Sequence, residues 1–256
     1  MYRPRSFRVD DLGTLHGLIR SVAFGTLISG GGGAELEATH LPLLLDAERG
    51  ELGTLIGHFA RANPHWHALE GEPEVLVTFL GPHAYVSPSW YASPVAVPTW
   101  NYATVHVRGV ARLVTDRGVL RSQLERLVTE HEAYVDEPWS MERAGAIVEP
   151  LMEAIVGFEI AITRIEGKWK FNQNRSLEDQ AGVAAALERS ARPGAAEVAG
   201  IMRENLARAE GSAAAAAGAA APDGPRSGAA APDATQAGAA AAGPPRFSPE
   251  AARGPA

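Results

Sequence analysis

LGPHAYVSPSWYASPVAVPTWNY, residues 80–102, is the stretch on which the interpretation of this chain depends. Tryptophans, tyrosines, a histidine and several prolines alternate here with hydroxyl and amide side chains. Flat aromatic faces beside fixed polar groups suit a planar ligand that has polar edges. The same composition also suits a proline-stiffened loop that closes one end of a barrel or lies in a dimer interface. The stretch alone leaves both interpretations open.

The chain divides into a folded body and a tail of biased composition. Residues 1–208 contain the apolar and aromatic side chains that a core needs, whereas residues 209–256 are dominated by alanine, glycine and proline. Glycine and proline interrupt every run of alanine, so this C-terminal tail is predicted to be disordered. The body has the size of one domain.

Charge and cysteine content narrow the function classes. The formal net charge is −7, and the tail is neutral, so the excess of acid lies on the body. An acidic body disfavours non-specific nucleic-acid binding, which needs clustered Lys and Arg. The absence of cysteine excludes disulfides and thiolate chemistry. Without a signal core or a long apolar run, a cytoplasmic protein with no membrane association is expected.

Hydrophobic periodicity predicts a mainly β fold with flanking helices. Strands are predicted over residues 23–29, 36–46, 52–60, 74–80, 104–114 and 155–165. Helices are predicted to begin after Asp10 or Asp11, at Asp116, and after Ser176, with two more over residues 138–152 and 195–207. Strands and helices do not alternate regularly, and closure would remove exposed edges, so a closed antiparallel sheet is expected.

Three local patterns carry candidate chemistry. Glycines 30–33 favour a hairpin turn over a phosphate loop, because neither GK[ST] nor a helix follows them. Arg61 and Asn63 leave a strand together, and a guanidinium beside an amide can hold a phosphate, although a surface arginine at a turn gives the same pattern. The segment Lys168–Arg175 is a second cluster of cations with aromatic rings.

A metal site is the less favoured use of the histidines. His65 and His67, together with His40 or His58, could be drawn as ligands. No standard zinc spacing is present, so no metal is predicted. A ligand with a phosphate, a polar chain and a flat ring would use the aromatic stretch and both cationic clusters, and flavin mononucleotide (FMN) has that shape.

Several ordered blocks of the sequence together carry a family resemblance. They are Met1–Phe7, Ala38–Leu45, Gly57–Pro64, Gly81–Ser87, Ser89–Tyr91, Val97–Tyr102, Val105–Val107 and Asn172–Asp179. Over about residues 1–205 the chain resembles the PaiB-type family of FMN-binding negative transcriptional regulators. The tail lies outside the family pattern.

The resemblance implies a split β-barrel like that of pyridoxamine 5′-phosphate oxidase, a homodimer, and FMN held between subunits. Matching the strand pair Ala38–Leu43 and His58–Asn63 assigns the phosphate to Arg61 and Asn63. His58, on the same strand pair, is a further expected flavin contact. The remaining expected contacts are Thr39 and His40 near the phosphate, Leu41, Pro42, Trp66 and Trp100 near the ring, and Asn101, Lys168 and Gln173 from the partner subunit.

The resemblance also implies function. The first hypothesis is a dimeric, flavin-binding repressor of transcription, with direct DNA contact made doubtful by the acidic body. The second is a flavin-dependent oxidoreductase acting on a small molecule, in which the flavin carries the redox chemistry. A third is a sensor or scaffold whose flavin site is empty.

Overall fold

The structure is a computed structural model, and it describes residues 1–31 and 34–219 of the 256 residues. Within these residues, eight strands form one antiparallel sheet, and six α-helices flank it. The elements are β1 (Arg8–Val9), α1 (Leu12–Val22), β2 (Phe24–Gly31), β3 (Ala34–Pro42), β4 (Leu44–Asp46), β5 (Thr54–Ala60), β6 (Glu74–Val86), β7 (Thr99–Val114), α2 (Arg117–Glu132), α3 (Met141–Ala144), α4 (Val148–Glu153), β8 (Ile155–Lys170), α5 (Leu177–Glu188) and α6 (Ala195–Ala219). The prediction of a mainly β fold with flanking helices is confirmed.

The sheet does not close, so that part of the prediction was wrong. The strand order is β3-β2-β6-β7-β8-β5-β4, and β1 pairs with β8. The end strands β3 and β4 are joined by the single residue Leu43, where the chain changes partner from β2 to β5. The sheet therefore curls until its two ends meet at Leu43. Beyond that residue β3 and β5 have no ladder between them, and a split remains.

Pro42 and Leu43 explain why the split stays open. Pro42 ends β3 without an N–H to donate, as expected for proline at a sheet edge. The N–H of Leu43 donates to the carbonyl of Ala23 at 2.7 Å, which continues the pairing with β2. The predicted single strand over residues 36–46 is thus divided between two neighbours, and only its last three residues reach β5.

Helix α1 packs against the sheet, into the main core. Asp11 caps its N-terminus by accepting a hydrogen bond from the N–H of Thr14 at 2.8 Å, which confirms the predicted start. Leu15, Leu18 and Ile19 are buried in the core. The approach is close: a Cβ added at Gly167 of β8 would lie 2.2 Å from Leu15 Cδ2. Glycine at this position therefore allows helix and sheet to touch.

Helices α2, α3 and α4 form a second, smaller cluster against the opposite face at one end of the sheet. Leu120, Met141, Val148 and Met152 are its buried members. The helix predicted over residues 138–152 is broken into α3, a 3₁₀ turn and α4, because Gly145 takes a positive φ of 57°. Asp116 caps α2 as predicted.

The C-terminal helices cover the sheet near the end of β6 and the start of β7. Ser176 caps α5 as predicted, accepting from the N–H of Asp179. Helix α6 continues to Ala219, eleven residues past the predicted boundary at 208. The rest of the predicted disordered tail, residues 220–256, lies outside the described residues, as do glycines 32 and 33 of the predicted hairpin turn. The antiparallel pairing of β2 with β3 confirms the hairpin itself.

Candidate flavin site

The segment from Arg61 to Trp66 leaves β5 and crosses the region beside the split. Asn63 caps a 3₁₀ turn over Pro64–Leu69, its Oδ1 accepting from the N–H of His65 at 3.1 Å. This cap orients the amide, so that its Nδ2 is the group directed at β3. The segment thus has contacts with both sides of the opening, through Arg61 towards β8 and through Asn63 towards β3.

The guanidinium of Arg61 is held by main-chain carbonyls. Its Nε donates to the carbonyl of Glu153 at 2.6 Å, and its Nη2 donates to the carbonyl of Ile155 at 2.8 Å. The Arg61 N–H also donates to the carbonyl of Ala154. Within the described part of the chain, no hydrogen bond uses Nη1, and the residue is exposed. The side chain is therefore fixed in place while part of its donor fork remains available to a ligand.

Arg61 and Trp66 line a cleft of about 560 Å³. Its wall comes from the end of β7, the start of α2, the end of α4 and the start of β8, and it mixes apolar and polar side chains. The apolar residues are Leu113, Val114, Leu120, Met152, Ile155 and Val156. The Trp66 indole donates from Nε1 to the carbonyl of Arg61 at 3.1 Å and stacks on His67 with ring centroids 3.6 Å apart. A second guanidinium, Arg117, lies in the lining, paired with Glu149 and Glu153.

A buried histidine joins Asn63 to β2 and β3. His65 is 2% exposed; its Nδ1 lies 2.7 Å from Thr39 Oγ1 and its Nε2 lies 2.8 Å from Ser29 Oγ. Asn63 Nδ2 donates to the same Thr39 oxygen at 3.2 Å. Burial lowers the pKa of His65, and the nearby Glu37 carboxylate opposes that shift. Thr39 and Asn63 are therefore brought together, as predicted, by a histidine that the sequence suggested only as a metal ligand.

The other expected contacts on β3 differ in exposure. His40 is exposed and stacks beside Phe24, with centroids 6.3 Å apart. Leu41 is buried in the core, so only its backbone can face a ligand. Pro42 is half-buried at the edge of the sheet.

His58 does not face Thr39. It lines a small cavity on the side of β5 that helix α2 covers, with Leu120, Gln123 and Leu124 among its neighbours. Burial there lowers the pKa of His58. The side chain of His58, an expected flavin contact, therefore lies on the α2 side of β5 and not beside Thr39 and Asn63.

Trp100, Lys168 and Gln173 lie at the far end of the β7–β8 ladder. Trp100 is 52% exposed, and Lys168 Nζ lies 5.4 Å from the ring centroid of Tyr102 and 5.5 Å from that of Tyr2. Gln173 uses both ends of its amide within its own turn, bonding the carbonyl of Trp169 and the N–H of Phe171. Trp100 and Lys168 are accessible, whereas Gln173 stabilises local structure.

Asn101 does not reach any surface, so its predicted contact with a partner-bound flavin was wrong. The residue is fully buried, and its Nδ2 donates to Met202 Sδ at 3.3 Å beneath α6. Its Oδ1 is buried without a hydrogen-bond partner within the described chain. The alternation of β7 turns Asn101 inward while Trp100 and Tyr102 point the other way.

Within one chain, the residues around Arg61 lie far from Trp100 and Lys168. The β7–β8 ladder runs from the pair Tyr102–Lys170 to the pair Val114–Gly157, which at about 3.3 Å per residue is roughly 40 Å along the strands. Arg61 lies beside the second end, because it bonds the carbonyl of Ile155. Trp100 and Lys168 belong to the first end.

The histidines considered as metal ligands do not converge. Both ring nitrogens of His65 lie against hydroxyl groups, and His67 pairs with Glu70 on the surface. Among the residues that the structure describes, no group of three or more His, Asp or Glu side chains is arranged to hold a metal ion.

Residues 1–31 and 34–219 include no helix that is long and apolar enough to cross a bilayer.

Comparison with known proteins identifies the family. Residues 1–164 match the family model described as "Putative FMN-binding domain". The chain is 34% identical over 207 residues to "Protease synthase and sporulation protein PAI 2" of Bacillus subtilis, a match that covers 80% of this chain and 98% of that protein. It is also 34% identical over 205 residues to an uncharacterised protein of Emericella nidulans, covering 66% of this chain and 82% of the relative. The chain therefore belongs to this FMN-binding, PaiB-type family, as its sequence motifs predicted.

A solved structure supports the fold. The flavocytochrome Anf3 of Azotobacter vinelandii superposes with a TM-score of 0.53 at 18% identity, covering 66% of this chain and 72% of that one. At this level of identity the likeness concerns the fold alone.

Arg61, Trp66 and the cleft that they line fit parts of a flavin mononucleotide. Asn63 joins this segment to Thr39 on β3, which lies outside the cleft lining. The cleft volume of about 560 Å³ is within the usual range for small-molecule sites. A fixed guanidinium with free donor capacity suits a phosphate, and an indole beside apolar side chains suits a flat ring. The prediction of a flavin cofactor is confirmed by the family.

Proposed function

We propose that this protein is a cytoplasmic homodimer that binds FMN at the split of the sheet and lowers the expression of target genes. Arg61 binds the phosphate, with Asn63, Thr39 and His40 as neighbours. The backbone of Leu41, the edge at Pro42 and the indole of Trp66 lie along the rest of the ligand. The cytoplasm is the compartment in which such a regulator meets its genes.

The observation that carries the proposal is the anchoring of Arg61. An exposed arginine ordinarily loses much side-chain entropy when it binds a ligand. Here two main-chain carbonyls already hold the guanidinium, so this cost has been met in folding. A bound phosphate accepts from the remaining N–H groups in a charge-assisted hydrogen bond.

The second copy follows from the distance between the two groups of aromatic and cationic residues. Trp100 and Lys168 can approach the flavin only from a partner subunit, because their own Arg61 lies at the other end of the ladder. The sheet also offers a surface for that partner. Phe24 and Leu80, each 56% exposed, lie two residues beyond the paired Thr26 and Thr78 and on the same face. Burying this apolar face favours association.

Binding is tested by titrating the protein with FMN and, separately, with riboflavin, which lacks the phosphate. The proposal expects FMN to bind much more tightly, and it expects Arg61→Ala to reduce that preference. Sedimentation across a range of protein concentrations measures the dimer. Equal affinity for FMN and riboflavin would remove the phosphate site from the proposal, and a monomer at all concentrations would remove the partner contacts.

Regulation requires a separate test because the body is acidic. The arginines that α2 exposes are paired: Arg117 and Arg121 with Glu149, and Arg126 with Asp46. A basic cluster that could meet DNA is Lys168, Lys170 and Arg175, but Lys170 already donates to Thr99 and Trp100, and the proposed dimer uses Lys168 at the flavin. A gel-shift at low salt with promoter DNA from the same cell measures direct contact. Without a shift, the regulator would act through another protein or through its flavin.

A flavin-dependent oxidoreductase is the second candidate. The observation that favours it is the size of the cleft beside Arg61 and Trp66, whose apolar side chains could accept a small molecule next to a flavin ring. When bound, the flavin supplies the redox chemistry, and the protein positions the reactants and excludes water. Stopped-flow measurement of anaerobic flavin reduction by NADPH or NADH, followed by reoxidation with small acceptors, discriminates between the candidates.

A further inference from the structure

The hydrogen bonds around His65 determine whether the Thr39 hydroxyl can donate to a ligand. Ser29 and His65 are 3% and 2% exposed, whereas Thr39 is only half-buried. Thr39 is therefore the member of this set that can meet a ligand. Its hydroxyl has one proton to donate and two lone pairs to accept with.

Asn63 already occupies one of those lone pairs. The Asn63 Oδ1 accepts from the N–H of His65, which leaves Nδ2 as the group that points to Thr39. Because an amide nitrogen can only donate, Thr39 accepts from Asn63. The use of the remaining lone pair and proton depends on the 2.7 Å contact with His65 Nδ1.

The neutral imidazole of His65 has two tautomers, and they have opposite consequences for the Thr39 hydroxyl proton. If Nδ1 carries the proton, Thr39 accepts twice and its own proton is free for an outside acceptor. If Nε2 carries the proton, Thr39 must donate to Nδ1 and has no proton left for a ligand. A phosphate dianion offers only acceptors, so it can bind Thr39 productively only in the first arrangement.

We propose that His65 is a positioning residue: by donating from Nδ1 to Thr39, it turns the Thr39 hydroxyl proton towards the phosphate of bound FMN. Ser29 supports this tautomer by donating to His65 Nε2 across the 2.8 Å contact. The inference rests on the proposed function, since it requires the phosphate to lie beside Thr39. It identifies Ser29, which touches no ligand, as part of the machinery that selects a phosphorylated flavin.

Two substitutions at His65 separate the two nitrogens. The amide nitrogen of Asn lies near the position of Nδ1, and that of Gln lies near the position of Nε2. His65→Asn therefore retains a donor for Thr39, and we expect it to keep most of the FMN affinity. His65→Gln loses that donor, and we expect FMN affinity to fall on the order of tenfold, as in Thr39→Val. Riboflavin affinity should be unchanged in all three variants.

The double variant tests whether His65 acts through Thr39. In the Thr39→Val background, His65→Gln should add little, because its target hydroxyl is gone. A full additional loss of FMN affinity would overturn the inference. So would loss of FMN and riboflavin binding together in His65→Gln, which indicates a structural role only.

The wild-type protein provides a test that needs no variant. Nitrogen NMR of ¹⁵N-histidine-labelled protein distinguishes the tautomers. We expect His65 to carry its proton on Nδ1 in the FMN complex, and an Nε2 proton there would contradict the inference. The proposed function fails separately: it fails if the wild type does not prefer FMN to riboflavin, whereas the inference alone fails if that preference exists and Thr39→Val and His65→Gln retain it.

Discussion

The two ends of the β7–β8 ladder look alike in sequence and differ in three dimensions. Each end combines a tryptophan with a cation: Trp66 with Arg61 at one end, Trp100 with Lys168 and Lys170 at the other. Arg61 is exposed and held by main-chain carbonyls beside a cleft of mixed polar and apolar lining. Lys170 donates to Thr99 Oγ1 and to the carbonyl of Trp100, and burial lowers its pKa.

The proposed homodimer accounts for this difference, because each copy would contribute a different half of a shared site. The Arg61 end has a concave surface and a guanidinium with unused donors. The Lys168 end instead exposes the rings of Trp100 and Tyr2. The proposed homodimer would pair the exposed aromatic end of one copy with the cleft of the other, so that each copy completes the other's site.

The largest loss of FMN affinity should come from removing the Arg61 guanidinium beside the cleft. Arg61→Ala should weaken FMN binding by about 2 kcal/mol, roughly thirtyfold, because a charged hydrogen bond to phosphate is lost. Arg117→Ala is the matched control, since this guanidinium lies in the same cleft but is paired with Glu149 and Glu153. Fluorescence titration measures both, and equal losses would mean that cleft charge, rather than the anchored Arg61, binds the ligand.

The second-largest effect tests whether Arg61 of one copy and Lys168 of another bind the same FMN molecule. Lys168→Ala should weaken FMN binding by about 1 kcal/mol if its ammonium lies over a ring or near the phosphate. Differently tagged Arg61→Ala and Lys168→Ala proteins can then be mixed and the heterodimer purified. One site of the heterodimer should bind FMN as the wild type does, because it takes Arg61 from one copy and Lys168 from the other. A heterodimer without any tight site would contradict a shared site.

A smaller effect tests the corrected position of Asn101. Its buried Oδ1 has no hydrogen-bond partner within the described chain, and leaving such a group unpaired costs stability. Asn101→Leu should therefore keep or raise the free energy of unfolding, by up to about 1 kcal/mol, and leave FMN affinity unchanged. Urea unfolding and FMN titration measure these quantities. A loss of FMN affinity in a stably folded variant would restore Asn101 as a ligand contact.

The smallest effect is the contribution of His58 to the pH dependence of the free energy of unfolding. Burial lowers the pKa of His58 from its usual 6.5. As pH falls below that value, the unfolded chain takes up a proton that the folded chain does not, so stability is lost on acidification. His58→Gln should lose less stability between about pH 7.5 and pH 5.5 than the wild type does. Parallel curves for the two proteins would show that His58 is not desolvated beneath α2.

Local chemistry made much of the fold predictable. Asp11, Asp116 and Ser176 cap helices because each is a short polar residue followed by helix-forming sequence, and this needs no distant partner. The hairpin between β2 and β3 and the pairing of Arg61 with Asn63 in one segment were also visible in short stretches. The family motifs predicted the flavin.

Other features depended on residues distant in sequence. The sheet fails to close because Leu43 continues the ladder to β2 before β4 turns to β5, which no local pattern indicates. About half of the aromatic stretch is strand, since β6 extends to Val86 and β7 begins at Thr99. His65 was missed as a structural residue, because its partners Ser29 and Thr39 lie 36 and 26 residues away.

The sequence by itself determined the class of the fold, most helix starts, the acidic body and the family with its cofactor. Such properties follow from composition, periodicity and short motifs, which act over a few residues. Only the tertiary structure decided that Asn101 is buried, that His58 lies under α2, and that Arg61 and Trp100 are at opposite ends of one ladder. These outcomes are set by which strands pair and in what register, and pairing between distant segments leaves no signature in either segment alone.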